Sequence, residues 1–178
     1  MILAVEGATA SGKTTWCRQH YPGFVPEQEH GDVRWAAAIA HEQERGVSVC
    51  DTDPLKLHYQ FGLYRLGAVD RGAWRREAAR VRRRVAREQL GFVDLVLVAD
   101  ADEPELRRRR DADPARERQR FDLHVRLRAP LLQWYEALEQ LDPGRVVVGL
   151  PAELPTPEPR VNRYSVELLD ALIAAVGG

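Results

Sequence analysis

The stretch Val5-Glu6-Gly7-Ala8-Thr9-Ala10-Ser11-Gly12-Lys13-Thr14-Thr15 decides how this chain is read. From Gly7 to Thr14 it fits Gly-x-x-x-x-Gly-Lys-[Ser/Thr] in full, the Walker A or phosphate-binding loop pattern. Gly7 and Gly12 permit backbone angles and a close approach that a Cβ would forbid. The N–H groups of Gly7, Ala8, Thr9, Ala10, Ser11, Gly12, Lys13, Thr14 and Thr15 can then converge on phosphate at the start of the following helix. Lys13 reaches the β- and γ-phosphates, and the Thr14 hydroxyl ligates Mg²⁺. At this chain's composition the pattern would arise by accident roughly once in 2000 sequences, so a nucleotide site outweighs a Gly-rich turn. The context agrees: residues 2–5 are apolar strand formers and residues 14–20 read as a helix start, the strand–loop–helix order the motif requires.

Of 26 basic residues only Lys13 and Lys56 are lysines. A compact ammonium on a flexible stem suits a crowded phosphate cradle, where a planar guanidinium fits differently. The length of 178 residues is expected to form one domain with a single core. The net charge of -1 gives no global electrostatic case for nucleic acid or a membrane surface as partner. Cys17 and Cys50 fit neither metal-ligand spacing nor a disulfide framework, so reduced thiols are expected. Met1 leads straight into an apolar run without a basic segment, and no apolar run approaches the ~20 residues of a membrane span. A cytoplasmic location is the expectation.

Five apolar runs read as strands: residues 2–5, a weak one at 23–26, 47–50, 93–99 and 145–149. The runs around Val96 and Val147 are near-continuous rather than alternating, as strands buried on both faces are. Helical patterns cover residues 35–44, 55–66, 73–90, 114–141 (with a break at Pro130) and 164–176. Strands alternating with helices predict α/β with a parallel sheet. Residues 149–162 hold four prolines and read as a loop at the carboxyl edge, where ligands bind in such sheets.

Asp51 follows the run at 47–50, where a carboxylate holds Mg²⁺ beside Thr14 or simply solvates a turn. Asp53 precedes Pro54 and reads by default as a helix cap. Glu27 ends Phe24-Val25-Pro26 and reads either as the general base for an attacking hydroxyl or, with Glu29 nearby, as an exposed loop glutamate. Residues 103–122 form an Arg-rich segment read as a lid. Arginines closing over the transferred group would stabilise its charge, while the interspersed acids offer a solvated ion-paired face instead. Arg116 and Arg120 lie four apart, on one helix face, and are the arginines chosen. The cluster Arg75, Arg76, Arg80, Arg82, Arg83, Arg84 and Arg87 reads as a solvated face, with no interleaved aromatics to stack bases. Tyr59, Phe61, Tyr64 and Trp74 either wall an acceptor pocket or belong to the core.

The loop, Pro26-Glu27, Cys50-Asp51-Thr52-Asp53 and the Arg-rich segment stand in an order that resembles the P-loop kinases of small molecules. The chain looks most like their nicotinamide riboside kinase and deoxynucleoside kinase branch and the related small AAA-type ATPases. The resemblance spans roughly residues 1–150. It implies a three-layer fold with a five-stranded parallel sheet of order 2-3-1-4-5, helices on both faces, ATP as donor and Mg²⁺ as cofactor. It implies transfer of the γ-phosphate to a hydroxyl of a small nucleoside-like molecule. Where the family carries Arg soon after the second-strand Glu, this chain has Gln28-Glu29-His30-Gly31-Asp32, so the acceptor is not carried over. A nucleotide or antibiotic acceptor, and a regulatory ATPase or switch without acceptor, stand as alternatives. Monomer and homodimer are both open.

Overall fold

A computed structural model describes residues 1–26, 31–113 and 120–177. Four strands, β1 (Ile2–Gly7), β2 (Ser48–Asp51), β3 (Leu95–Ala99) and β4 (Val146–Val148), pair in parallel in the order β2-β1-β3-β4. The helices are α1 (Lys13–His20), α2 (Gly31–Arg45), α3 (Leu57–Arg65), α4 (Arg71–Val85), α5 (Glu103–Asp111), α6 (Phe121–Arg126), α7 (Arg128–Leu141) and α8 (Val166–Ala175).

The continuous apolar runs of β1, β2 and β3 follow from burial on both faces; the run around Val147 does not fit that expectation, because β4 is the last strand of the sheet and leaves Val147 and Val148 exposed. Ile2, Ala4, Cys50, Val96 and Val98 point into one core, which contains Trp35, Trp74 and Trp134. Leu3, Val5, Val49, Leu95 and Leu97 point into the other, which Trp16 and Cys17 of α1 close together with Leu150 and Leu154. The period of two along each strand therefore serves two unequal layers. Helices α2, α3, α4, α7 and α8 contribute to the first core, α1 alone to the second.

Among the described residues the sheet has four strands in the order β2-β1-β3-β4, not the expected five in order 2-3-1-4-5. The weak run at residues 23–26 makes one parallel bridge, Val25 to Cys50, on the outer side of β2. Val25 N–H donates to the Val49 carbonyl at 2.8 Å and its carbonyl accepts from Asp51 N–H at 2.9 Å. The long helix expected over 114–141 divides at Leu127, not at Pro130. Pro130 lies in the first turn of α7, where its missing N–H is tolerated.

Helix α5 falls where only a charged segment was expected. Asp102 caps it by accepting Glu105 N–H at 2.9 Å, with Pro104 in the first turn. Asp53 does not cap α3, which starts after Lys56 without a side-chain cap.

The amino edge of the sheet is closed by ion pairs. Asp94 is fully buried and accepts Ile2 N–H at 2.6 Å, Arg160 N–H at 2.8 Å and Arg163 Nε–H at 2.8 Å. Arg163 also donates to Glu42 at 2.7 Å. Arg145, equally buried, pairs with Asp142 at 2.8 Å, and burial pushes its guanidinium down to about 10. No helix among the described residues is long and apolar enough to cross a membrane.

Candidate active site

The carboxyl edge opens into a cavity of about 870 Å³ whose floor is the loop from Gly7 to Thr15. The register sets Val5 beside Asp51 and Gly7 beside Ala99, so the loop leaves β1 between β2 and β3. Gly7 has φ +143°, and a Cβ there would stand 2.5 Å from the Ala99 carbonyl oxygen and 2.9 Å from Ser11 Oγ. Gly12 takes φ +100° as the residue preceding α1. Ala10 adopts φ +66° without being glycine, the kind of strained residue that clusters at ligand-binding turns. Lys13 Nζ curls back to donate to the Gly7 carbonyl at 2.7 Å and to that of Ala8 at 3.0 Å.

Thr14 and Asp51 meet. The Thr14 hydroxyl donates to Asp51 Oδ2 at 2.6 Å, and the carboxylate is buried at the end of β2. Hard oxygens beside a phosphate cradle are the donor chemistry that Mg²⁺ takes, with phosphate and water completing its shell. Among the described residues no cluster of three or more His, Cys, Asp or Glu side chains forms a self-sufficient metal site. A two-donor protein contribution completed by the nucleotide fits the residues present.

Glu27 and Arg116 lie outside the described residues. Arg120 precedes α6 at φ +57°, exposed, and is not among the cavity's lining residues. Among the described residues of the Arg-rich segment, Arg109 of α5 reaches the loop. Its guanidinium donates to the Ser11 carbonyl at 2.8 Å, and its Nε to Glu105 at 2.5 Å. Hydrogen bonds from Arg108 and then Arg109 hold the Glu105 carboxyl down to about 2. Arg128, paired with Asp100 at 2.6 Å, also lines the cavity.

The arginines of this cluster divide. Arg75, Arg76, Arg82, Arg83 and Arg87 are exposed and do not line the cavity, whereas Arg80, itself exposed, and the half-buried Arg84 line it beside Glu77. Arg84 pairs with Asp32 at 3.1 Å. Of the four aromatics considered, Tyr59 alone lines the cavity; Phe61 and Trp74 are buried against Trp134, and Tyr64 stacks on Trp74. The thiol of Cys17 is pushed up to about 12 by burial and by Asp51 nearby, and burial raises that of Cys50 too, so neither is a nucleophile.

A buried polar cluster stands beside the loop that the sequence reading missed. Glu6 Oε1 accepts Asp53 N–H at 2.6 Å and lies 3.4 Å from His58 Nε2. The Tyr135 hydroxyl donates to Asp53 Oδ2 at 3.1 Å and lies 3.1 Å from His58 Nδ1. Burial pushes the Glu6 carboxyl up, but His58, Lys13 and the Asp53 N–H together outweigh it and leave it below its ordinary value. Asp53 goes the other way, raised by burial with Glu6 adding to it against the pull of His58. The one signal in the sequence was Glu6 itself, a charge placed inside an apolar run directly before Gly7.

No known family model matches the chain, and no curated protein matches it. Solved structures do. Deoxyadenosine kinase from M. mycoides with bound dATP superposes with a TM-score of 0.61 at 15% identity, over 98% of this chain and 97% of that one. The same enzyme with the products dCMP and dCDP gives 0.57 at 14% identity over the same shares. With bound dCTP it gives 0.55 at 15% identity, over 83% of this chain and 89% of that one. The chain therefore has the fold of these P-loop deoxynucleoside kinases from end to end.

Proposed function

We propose that this chain is an ATP- and Mg²⁺-dependent phosphotransferase that moves the γ-phosphate to a hydroxyl of a small nucleoside-like molecule. The observation that carries it is the contact of Thr14, which lines the cavity, with the buried carboxylate of Asp51, in a cavity that continues past the loop to Tyr59, Gln60 and α4. A donor site with room beyond it for an acceptor is what phosphoryl transfer requires. The fold shared with deoxyadenosine kinase supports the same reading.

In this proposal Lys13 exchanges its carbonyl contacts for the β- and γ-phosphate oxygens, and the loop N–H groups hold the β-phosphate. Thr14 and Asp51 hold the metal, which when bound neutralises charge on the transferring group. Glu27 accepts the acceptor's proton. Arginines of the segment 103–122 close over the site, and Arg109 joins Arg116 and Arg120 as a candidate for contact with phosphate.

Arg80 and Arg84 on the cavity wall favour one further reading, an acceptor that already carries a phosphate. Acceptor-dependent ADP release should be measured across nucleosides, nucleoside monophosphates and aminoglycoside- or chloramphenicol-like alcohols. A nucleoside among the best acceptors supports the proposal. ATP turnover that no acceptor stimulates would point to a regulatory ATPase instead. Glu27→Gln tests the base: phosphorylation of the true acceptor surviving nearly intact would remove that role.

A further inference from the structure

We propose that Glu6 is a positioning residue that fixes the aim of Asp51, and that His58 and Tyr135 hold Glu6 and the Asp51 turn in register. The inference rests on the reading of Thr14 and Asp51 as the Mg²⁺-holding pair.

The geometry begins at Thr52. It follows Asp51 directly and adopts φ +98°, a backbone region that a β-branched residue occupies only where its surroundings impose it. The two N–H groups after Asp51 are both captured from β1. Thr52 N–H donates to the Val5 carbonyl at 3.0 Å, and Asp53 N–H donates to Glu6 Oε1 at 2.6 Å. The first bond continues the β1–β2 pairing, which any side chain at position 5 would permit. The second depends on the Glu6 carboxylate. Loss of it would release the turn that sets the direction of the Asp51 side chain.

Glu6 is itself held. It is 2% exposed, with Gly7 N–H at 3.2 Å on Oε2 and His58 Nε2 at 3.4 Å from Oε1. His58 Nδ1 meets the Tyr135 hydroxyl, which donates to Asp53 Oδ2, and Asp53 Oδ1 accepts Leu55 N–H at 3.0 Å. The contacts close a ring through Glu6 of β1, Asp53 of the turn after β2, Tyr135 of α7 and His58 of α3. All four are buried and each meets the next, so the ring ties the turn after β2 to β1, α3 and α7. A metal ligand's affinity depends on such supporting hydrogen bonds as well as on the ligand itself.

The test is ATP affinity by calorimetry, once with Mg²⁺ and once with EDTA, for the wild type, Glu6→Ala, Glu6→Gln and Tyr135→Phe. In the wild type Mg²⁺ is expected to strengthen binding. Glu6→Ala should keep the metal-free affinity within about twofold and lose on the order of tenfold of the Mg²⁺-dependent gain. Glu6→Gln, which keeps an oxygen for Asp53 N–H, should recover part of that gain. Tyr135→Phe removes one hydroxyl and leaves packing intact, so it decides the matter if Glu6→Ala does not fold; it should lose part of the gain. Both variants keeping the full wild-type gain would overturn the inference. So would an equal fall of both affinities, which marks general loss of the loop. A wild type without any Mg²⁺-dependent gain would overturn the reading of Thr14 and Asp51, and this inference with it.

Discussion

The hydroxyl of Thr14 donates a 2.6 Å hydrogen bond to Asp51 Oδ2, joining the first turn of α1 to the end of β2. Parallel pairing puts the two there, since the end of β2 and the loop after β1 share the carboxyl edge. Asp51→Asn keeps the shape and removes the charge. It should lower kcat by about 100-fold and raise the Mg²⁺ concentration needed for half-maximal rate, with little change in thermal stability. A Mg²⁺ titration of the initial rate checks it, and an unchanged midpoint would assign Asp51 to the turn alone.

Lys13 spans the loop, with its ammonium on the Gly7 and Ala8 carbonyls. Lys13→Ala is expected to abolish phosphoryl transfer, by about 1000-fold or more, while far-ultraviolet circular dichroism stays that of the wild type. Lys13→Arg should not rescue it, because a planar fork does not replace a point charge in that cradle.

Gly7 cannot accept a side chain. Its φ of +143° and the Ala99 carbonyl 2.5 Å from the position of a Cβ make Gly7→Ala costly twice over. Destabilisation of about 2 kcal/mol or more is expected in urea unfolding. Gly46→Ala serves as the comparison: it shares a positive φ, +76°, but meets nothing within 4 Å, so its cost should be smaller, about 1 kcal/mol.

The features legible in the sequence were those set by neighbours along the chain. The loop is a local pattern, and Asp51 was found because it ends an apolar run. The α4 stripe of Trp74, Ala78, Val81 and Val85 is buried as its spacing predicts. Contacts that span 47, 77 and 82 residues build the Glu6–Asp53–His58–Tyr135 ring, and no local pattern reports them. Asp53 shows the cost: Asp-Pro reads as a helix cap, yet the side chain turns inward to Tyr135. The fifth strand was read from the weak run at 23–26, which among the described residues makes a single bridge, Val25 to Cys50, and no ladder. Arg109 was passed over because α5 was not foreseen, although Asp102-Glu103-Pro104-Glu105 carries a helix-start signal.

Glu42 gives the fold an acid limit. Hydrogen bonds from Arg163 hold its carboxyl below the ordinary value of 4.5; burial opposes them, and the Met1 amine adds to them. A carboxyl depressed in the folded state is more stable there as the anion, so its contribution is complete above about pH 4.5 and fades as pH falls through the folded value. Wild-type stability should therefore drop on acidification below about pH 4.5. Glu42→Gln should be less stable at pH 7 and show a shallower fall over the same window. Chemical denaturation at a series of pH values separates the two curves; parallel curves would place the acid sensitivity in other carboxylates.

Arg109 and Arg120 make opposite predictions within one segment. Arg109 bridges Glu105 and the Ser11 carbonyl, so its guanidinium is already on the loop. Arg120 is exposed and outside the cavity lining. Arg109→Ala should therefore reduce kcat by about 10-fold to 100-fold, with a smaller change in ATP affinity, since stabilisation of developing charge appears chiefly in the rate. Arg109→Lys should recover only part of it, because the ammonium cannot contact two oxygens side by side. Arg120→Ala should cost less than about threefold unless the segment closes on the nucleotide and carries it inward. Steady-state kinetics of the three variants with one acceptor distinguish these cases. A large loss at Arg120 with none at Arg109 would mean that the working arginine arrives only on closure, and that Arg109 merely tethers α5 to the loop.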